Sequence, residues 1–245
     1  MTILLTGGTG RLGRPTADAL RSRGHDVRIL SRRPGDDHTV GDLTTGAGLD
    51  AALDGVSAVV HLATSRSKDI GQTRTLLDAM AGSGTHLVFI SIVGVDRIPY
   101  GYYRDKVASE QAIEASGVPY TIIRVAQFHG FVHEVLEAQK RLPVTLVLPV
   151  SAQTIHMPEV AQRLTELVEA GPSGRVTDLG GPEQLTLQEY ARQWQAARGV
   201  SRPIWTLHLP GRTMAAFRAG HHMPGLPGAG TVTYREYLAG ATNGE

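Results

Sequence analysis

The chain has 245 residues, with 24 lysines and arginines against 23 aspartates and glutamates, and no cysteine. That length suits one large α/β domain with at most a modest appendage, the net charge of +1 gives no nucleic-acid footprint, and the lack of thiols excludes disulfides, thiolate catalysis and cysteine metal sites. No charged leader with an apolar core precedes the first apolar run and no stretch is apolar for long enough to span a bilayer, so the expectation is a cytoplasmic protein that makes no membrane contact.

Thr2 to Thr6 is a short apolar, partly β-branched run and predicts the first strand of a parallel sheet. Glycines follow it directly, in two possible registers: Gly8, Gly10 and Gly13 give G-x-G-x-x-G, while Gly7, Gly10 and Gly13 give the wider G-x-x-G-x-x-G. From Arg11 to Arg23 the apolar residues Leu12, Ala17, Ala19 and Leu20 recur at helical spacing until Gly24 stops them. Strand, glycine turn and helix make a phosphate cradle, because bare backbone lets a diphosphate reach the N–H groups that a helix start leaves unpaired.

Asp26 to Ser31 predicts the second strand, ended by Arg32-Arg33-Pro34-Gly35. At this position an acidic side chain would grip the adenosine ribose of NAD, whereas arginine accommodates the extra phosphate of NADP. Ser31, Arg32 and Arg33 supply two guanidinium groups and no carboxylate, so the expected cofactor is NADP(H), the alternative being a solvated turn. His38 to Leu43 predicts a third strand, and Asp42 either bonds the adenine amino group or serves a turn. Leu49 to Leu53 is a short helix, and Ser57 to Ala63 is a fourth strand whose His61 reads as a hydrogen-bonded core residue. Ile70 to Met80 is a helix, and His86 to Ser91 a fifth strand. The alternation predicts a doubly wound parallel sheet, an α/β Rossmann-like fold.

Tyr102 and Lys106 are four residues apart in a helical pattern running to Gly117, which places phenol and ammonium on one face. A cation there favours the phenolate and brings a tyrosine towards a working range for proton transfer. Lys106 would also reach the nicotinamide ribose. Tyr120 to Val125 is the sixth strand, and Phe128 leads into a helix to about Lys140. Phe128, His129, Phe131 and His133 are candidates for the substrate wall. His129 and His133 have the spacing of a metal pair but lack a third ligand, so no metal is expected. Beyond Leu142 the pattern predicts an extended piece at 144–148, a helix opened by Pro158-Glu159 within 153–168, a strand at 175–179 and a helix at 187–198. The tail from Leu209 to Gly230 carries Met214 and Phe217, further substrate candidates, and reads as a lid, a connecting loop or a dimer contact. The division expected is a dinucleotide-binding core over 1–126 and a smaller substrate-binding part over 127–245, interleaved with the core rather than independent of it.

Thr6-Gly7-Gly8-Thr9-Gly10-Arg11-Leu12-Gly13, Gly41-Asp42-Leu43, His61-Leu62-Ala63, Phe89-Ile90-Ser91, Tyr102-Tyr103-Arg104-Asp105-Lys106 and Gly117-Val118-Pro119-Tyr120 together resemble the atypical, NmrA-like NAD(P)H-binding branch of the short-chain dehydrogenase/reductases. The resemblance extends to Gly180-Gly181-Pro182-Glu183 and so covers most of the chain. It implies cofactor contacts at Gly7, Thr9, Gly10, Arg11, Leu12, Gly13, Arg32, Arg33, Asp42, Leu43, Ala63 and Lys106. It also implies a Ser/Thr, Tyr, Lys catalytic set, here Ser91, Tyr102 and Lys106. Ile92 follows Ser91 where many relatives place a second hydroxyl, and the Asn-Ala-Gly signature of other members is absent. The expected function is NADPH-dependent reduction of a carbonyl or quinone-like small molecule by a monomer or homodimer. A non-catalytic NADP(H)-sensing regulator is the alternative, and a nucleotide-sugar epimerase the weaker one.

Overall fold

A computed structural model describes residues 1–35, 38–65, 68–225 and 228–242. In chain order the elements are β1 (Thr2–Thr6), α1 (Gly13–Ser22), β2 (Asp26–Ser31), β3 (His38–Val40), α2 (Leu49–Leu53), β4 (Ala58–His61), α3 (Asp69–Met80), β5 (His86–Ile92), α4 (Gly101–Ala115) and β6 (Tyr120–Val125). They continue with α5 (His129–Glu137), β7 (Thr145–Val147), β8 (Ser151–Ala152), α6 (Met157–Ala170), β9 (Gly174–Arg175), β10 (Leu185–Thr186), α7 (Leu187–Ala197), β11 (Ile204–Thr206), α8 (Arg212–Arg218) and α9 (Tyr234–Thr242). The chain divides into two compact units: the first holds 1–91, 101–124 and 158–177, and the second holds 92–100, 125–157 and 178–245.

The first unit carries the Rossmann-like parallel sheet, in the order β3-β2-β1-β4-β5-β6-β9. Order reverses between β1 and β4, and the crevice at the carboxyl ends of strands on either side of such a reversal is where ligands bind. β1 is an inner strand, with Leu5 opposite Ile29 of β2 on one side and Val60 of β4 on the other. A strand covered on both faces needs apolar residues at successive positions, and Ile3, Leu4 and Leu5 are all 0% exposed. Leu4, Val59, Leu87, Phe89 and Ile122 join Leu76, Leu77 and Met80 of α3 and Ile113 of α4 in one core. Each such side chain contributes roughly 1.5–3 kcal/mol on burial.

Several boundaries differ from the sequence expectation, and each has a local cause. β3 ends at Val40 because Asp42 turns back, its amide donating to Ala47 O and its carbonyl accepting from Gly46 N. The stretch 175–179 is not a strand throughout. β9 stops at Arg175, and Leu179 makes only an isolated bridge to Val125. The helix expected to open at Pro158-Glu159 does so, α6 starting at Met157.

The second unit packs α5, α7 and α9 around Trp194, Tyr190, Tyr234, Val132, Leu136 and Leu238. α7 starts in a capping box, Thr186 accepting from the Glu189 amide while Glu189 accepts from the Thr186 amide. β7 pairs with β11, Trp205 opposite Leu146, and both side chains are exposed. The Gln139 side chain donates to Val135 O and Leu146 O and accepts from Leu146 N. Tyr234 is buried against Tyr190, ring centroids 4.8 Å apart, with no hydrogen-bond partner for its hydroxyl among the described residues, and burial pushes that phenol well up. An unsatisfied buried hydroxyl costs about 1–3 kcal/mol, so Tyr234→Phe is expected to raise stability by about 1 kcal/mol in urea unfolding. A loss of stability would reveal a partner for that oxygen.

Candidate functional site

The glycine turn between β1 and α1 is shaped by backbone against backbone. Gly7 has φ +71°, and a Cβ there would lie 2.7 Å from Ala63 N and 2.8 Å from Leu62 C. A Cβ at Gly13 would overlap the Gly7 carbonyl oxygen and stand 2.6 Å from Gly8 Cα. At Gly8 the neighbours are side-chain atoms of Ile29 and Leu5 instead. Backbone approach therefore leaves no room at Gly7 and Gly13 and is tight at Gly10, where a Cβ would lie 3.1 Å from Gly7 O, whereas Gly8 is packed by side chains. Gly10 N donates to Gly7 O at 2.9 Å, which closes the turn. α1 then begins without a side-chain cap and without an acidic residue in its first turn. Arg14 N bonds back to Gly10 O, Thr16 N to Leu12 O, and position 15 is proline, so the Leu12 and Gly13 amides are those the helix start leaves for an anionic group, in a turn that a side chain would fill.

Thr9, Gly10, Arg11, Arg32 and Arg33 are exposed and Leu12 and Ala63 half-buried, on the loops at the carboxyl ends of β1, β2 and β4. Asp42 sits in a turn, one carboxylate oxygen accepting from Thr44 N at 2.8 Å. The Leu43 side chain belongs to the apolar core, which leaves its backbone for any ligand. Ser91, at the end of β5, is 3% exposed and its hydroxyl has no partner among the described residues.

Tyr102 and Lys106 project one turn apart from α4, as their spacing predicts, but they are not coupled in the way expected. Lys106 Nζ pairs with Asp69 Oδ2 at 3.4 Å and lies 4.8 Å from the centre of the Phe89 ring. Burial holds this ammonium below its ordinary range, against the pull of Asp69 and Glu110. Thr64 Oγ1 donates to Asp69 Oδ2 at 2.9 Å, and the Ser65 amide donates to Asp69 Oδ1. The Tyr102 hydroxyl is 2.8 Å from Thr64 Oγ1. Since the Thr64 hydrogen is committed to a carboxylate, which only accepts, the phenol is the donor in that bond. The expected lowering of the phenol is corrected here: Tyr102 is pushed up, first by burial, and the Asp69 and Asp105 charges act in the same direction. Lys106 spends its charge on Asp69 instead.

Thr64 and Asp69 were not singled out from the sequence. The available signal was a hydroxyl pair directly after β4 followed by a carboxylate at the start of α3, on the strand-end side where ligands bind.

Beneath this cluster His61 is buried, with Nδ1 2.7 Å from Thr6 Oγ1 and Nε2 3.3 Å from Thr73 Oγ1. Thr73 donates its own hydrogen to Asp69 O, so Nε2 carries the imidazole proton and Nδ1 accepts from Thr6. Thr6 in turn accepts from Ala63 N, which ties the glycine turn to the wall of β4. Burial, and secondarily Lys106, lower the His61 pKa to about 3. The unfolded chain binds a proton below pH ~6.5 that the folded one refuses, so stability is lost on acidification, at about 1.4 kcal/mol for each unit that pH drops below ~6.5 towards the folded value. Urea unfolding at pH 7 and pH 5 is expected to show about 2 kcal/mol of acid loss from this group, absent in His61→Asn. Equal slopes in the two proteins would contradict it.

The substrate candidates fall in the second unit and are not alike. His129 is 2% exposed, its Nε2 donating to Val232 O at 3.0 Å and its Nδ1 2.6 Å from Thr154 Oγ1, so both ring nitrogens are engaged in packing. Phe131 is 53% exposed, and Phe128, His133, Met214 and Phe217 are half-buried. His133 meets the Tyr237 ring edge-on. Met214 and Phe217 lie on α8, a helix where the sequence suggested only a loose segment, and Phe217 packs on His222. Thr213 of α8 donates to Pro99 O at 2.8 Å, and His222 Nε2 is 2.8 Å from Ser151 O. Residues 226 and 227 of that tail lie outside the described residues. Among the described residues no helix is long and apolar enough to cross a membrane, and no group of three acidic or histidine side chains could hold a metal ion.

Residues 7–170 match the family described as NAD(P)H-binding. The chain is 31% identical over 215 residues to the (4-alkanoyl-5-oxo-2,5-dihydrofuran-3-yl)methyl phosphate reductase of Streptomyces griseus subsp. griseus, covering 82% of this chain and 75% of that one. It is 30% identical over 169 residues to the photosystem II assembly factor Ycf39 of Trieres chinensis, covering 61% of this chain and spanning about half, 52%, of that relative. In fold it is similar to the NADPH-dependent quinone oxidoreductase QOR2 of Escherichia coli, solved with NADPH, at a TM-score of 0.83 and 20% identity over 98% of this chain and 100% of that one.

Proposed function

The chain belongs to the NAD(P)H-binding family, as the residues quoted for the resemblance lead one to expect, and from that premise we propose that it is an NADPH-dependent reductase of a carbonyl or quinone-like small molecule. The observation that carries the reading is a half-buried phenol, Tyr102, held at 2.8 Å by Thr64 one helical turn from the buried Lys106–Asp69 pair. The reductase named among the relatives supports it. Gly7, Thr9, Gly10, Arg11, Leu12 and Gly13 would hold the diphosphate, Arg32 and Arg33 the additional phosphate, and Asp42, Leu43 and Ala63 the adenosine part. Lys106 would take the nicotinamide ribose.

NADPH, when bound, supplies the hydride. Tyr102 supplies the proton to the substrate oxygen. Ser91, whose hydroxyl is buried and has no partner among the described residues, orients that oxygen. Lys106 and Asp69 compensate each other's charge, so that neither stands uncompensated beside the site. The test is consumption of NADPH, and of NADH in parallel, with a panel of quinones and ketones in wild type and Tyr102→Phe. Turnover that prefers NADPH and is lost in the variant with cofactor affinity retained is the expected result.

A second reading, an NADP(H)-binding regulator that does not turn over, is favoured by the relative named as an assembly factor. Saturable NADPH binding with no turnover by either protein would select it.

A further inference from the structure

The Tyr102 hydroxyl lies 2.8 Å from Thr64 Oγ1, Thr64 is itself held by Asp69, and the Asp69 carboxylate also acts on the phenol directly. Three groups converge on one carboxylate. Oδ2 takes the Thr64 hydroxyl at 2.9 Å and the Lys106 ammonium at 3.4 Å, while Oδ1 takes the Ser65 amide. Asp69 is 2% exposed and starts α3, so its own position is fixed by the helix, while Thr64 lies exposed on the loop after β4. A hydroxyl rotor with one hydrogen and two lone pairs can therefore face Tyr102 in either sense: it accepts from the neutral phenol, and it donates once the phenol has lost its hydrogen.

Resting on the assignment of Tyr102 as proton donor, we propose that Thr64 and Asp69 are positioning residues, Thr64 turning its hydrogen from Asp69 to the Tyr102 oxygen as that oxygen becomes anionic. In the step, a hydride from NADPH joins the carbonyl carbon and the Tyr102 O–H bond breaks, its proton passing to the carbonyl oxygen. The carbonyl is reduced to an alcohol and NADPH is oxidised to NADP⁺. Thr64 breaks no covalent bond. Its hydrogen swings to the phenolate while Asp69 keeps Ser65 and Lys106, and a proton from water then restores the phenol. The bond gained and the bond given up are both to anions, so the swing itself is close to even, while the new phenolate gains a charge-assisted donor and the Asp69 carboxylate keeps Lys106 and Ser65. Burial and the Asp69 and Asp105 carboxylates all oppose the phenolate, and Thr64 is the neighbour that acts the other way.

The groups that face Tyr102 are Thr64 from the loop after β4, Asp69 from α3, and Asp105, Lys106 and the Tyr103 ring, centred 6.2 Å away, from its own helix. The experiment compares wild type, Thr64→Val and Thr64→Ser, all expected to fold because Thr64 is exposed, by two readouts. The first is the titration of Tyr102 followed by NMR on ring-labelled tyrosine, which needs no turnover. Thr64→Val is expected to move the phenol midpoint upward by about one pH unit or more, and Thr64→Ser to leave it in place. The second is steady-state reduction of a quinone or ketone. Thr64→Val is expected to lower kcat roughly tenfold to a hundredfold with KM for NADPH unchanged, and Thr64→Ser to restore it. An unmoved midpoint in Thr64→Val overturns the proposal. So does a kcat loss that Thr64→Ser fails to rescue, since that marks a packing effect. Undiminished kcat in Tyr102→Phe is a distinct failure: it removes the acid assigned above, whatever the titration gives.

Discussion

Gly13→Val is expected to abolish saturable NADPH binding while the far-ultraviolet circular dichroism of the protein stays close to wild type. The new Cβ would overlap the Gly7 carbonyl oxygen and lie 2.6 Å from Gly8 Cα and 2.7 Å from Gly8 C. All of these are backbone atoms of the same turn, so no side-chain rotation relieves the clash and the turn must open. Once it opens, the amides proposed to hold the diphosphate diverge, and a loss of at least about 1,000-fold in affinity is expected, about 4 kcal/mol. Gly24→Ala is the control. Gly24 has φ +80° but nothing within 4 Å of a Cβ, so the change costs stability of about 1 kcal/mol and no affinity. Fluorescence titration with NADPH separates the two, and tight binding by Gly13→Val would remove the cradle from the site.

Tyr102→Phe is expected to lower kcat by about 10² to 10⁴ with the affinity for NADPH retained, since in the proposed reaction the phenol is the proton donor and takes no part in holding the cofactor. The pH dependence gives a second check on the same residue. Burial and the Asp69 and Asp105 carboxylates push the phenol above its usual range, so the donor form persists through neutral and mildly alkaline solution. Wild-type kcat should accordingly stay level up to about pH 9 rather than decline as a phenolate accumulates. A decline centred near neutrality would mean that the expectation drawn from the Tyr-Lys spacing, a cation-lowered phenol, was right after all.

That contrast marks the limit of what the residues declare by themselves. The Thr2 to Gly13 stretch was legible because strand, glycine turn and helix start are local, and the sheet because strands covered on both faces leave unbroken apolar runs such as Val59-Val60. The four-residue spacing of Tyr102 and Lys106 placed them on one face correctly. What it could not convey is where the ammonium spends its charge, since Asp69 reaches Lys106 from another helix. His129 illustrates the same point from the other side. Its place at the end of β6 was readable, yet the direction of its ring depends on Thr154 and Val232, far along the chain. The short β8, β10 and β11 exist through pairing across the second unit and leave no periodic trace of their own.

The Gln139 side chain on the outer rim of β7 bears on how the protein behaves when concentrated. An uncovered rim beside exposed Leu146 and Trp205 is the kind of template onto which a neighbouring molecule could lay a strand. Gln139 occupies both the amide and the carbonyl of Leu146, as an incoming strand would, so ribbon growth has no starting point at that residue. The amide group of one glutamine thus acts as a stopper, and the apolar side chains beside it can stay on the surface without inviting polymerisation along that rim.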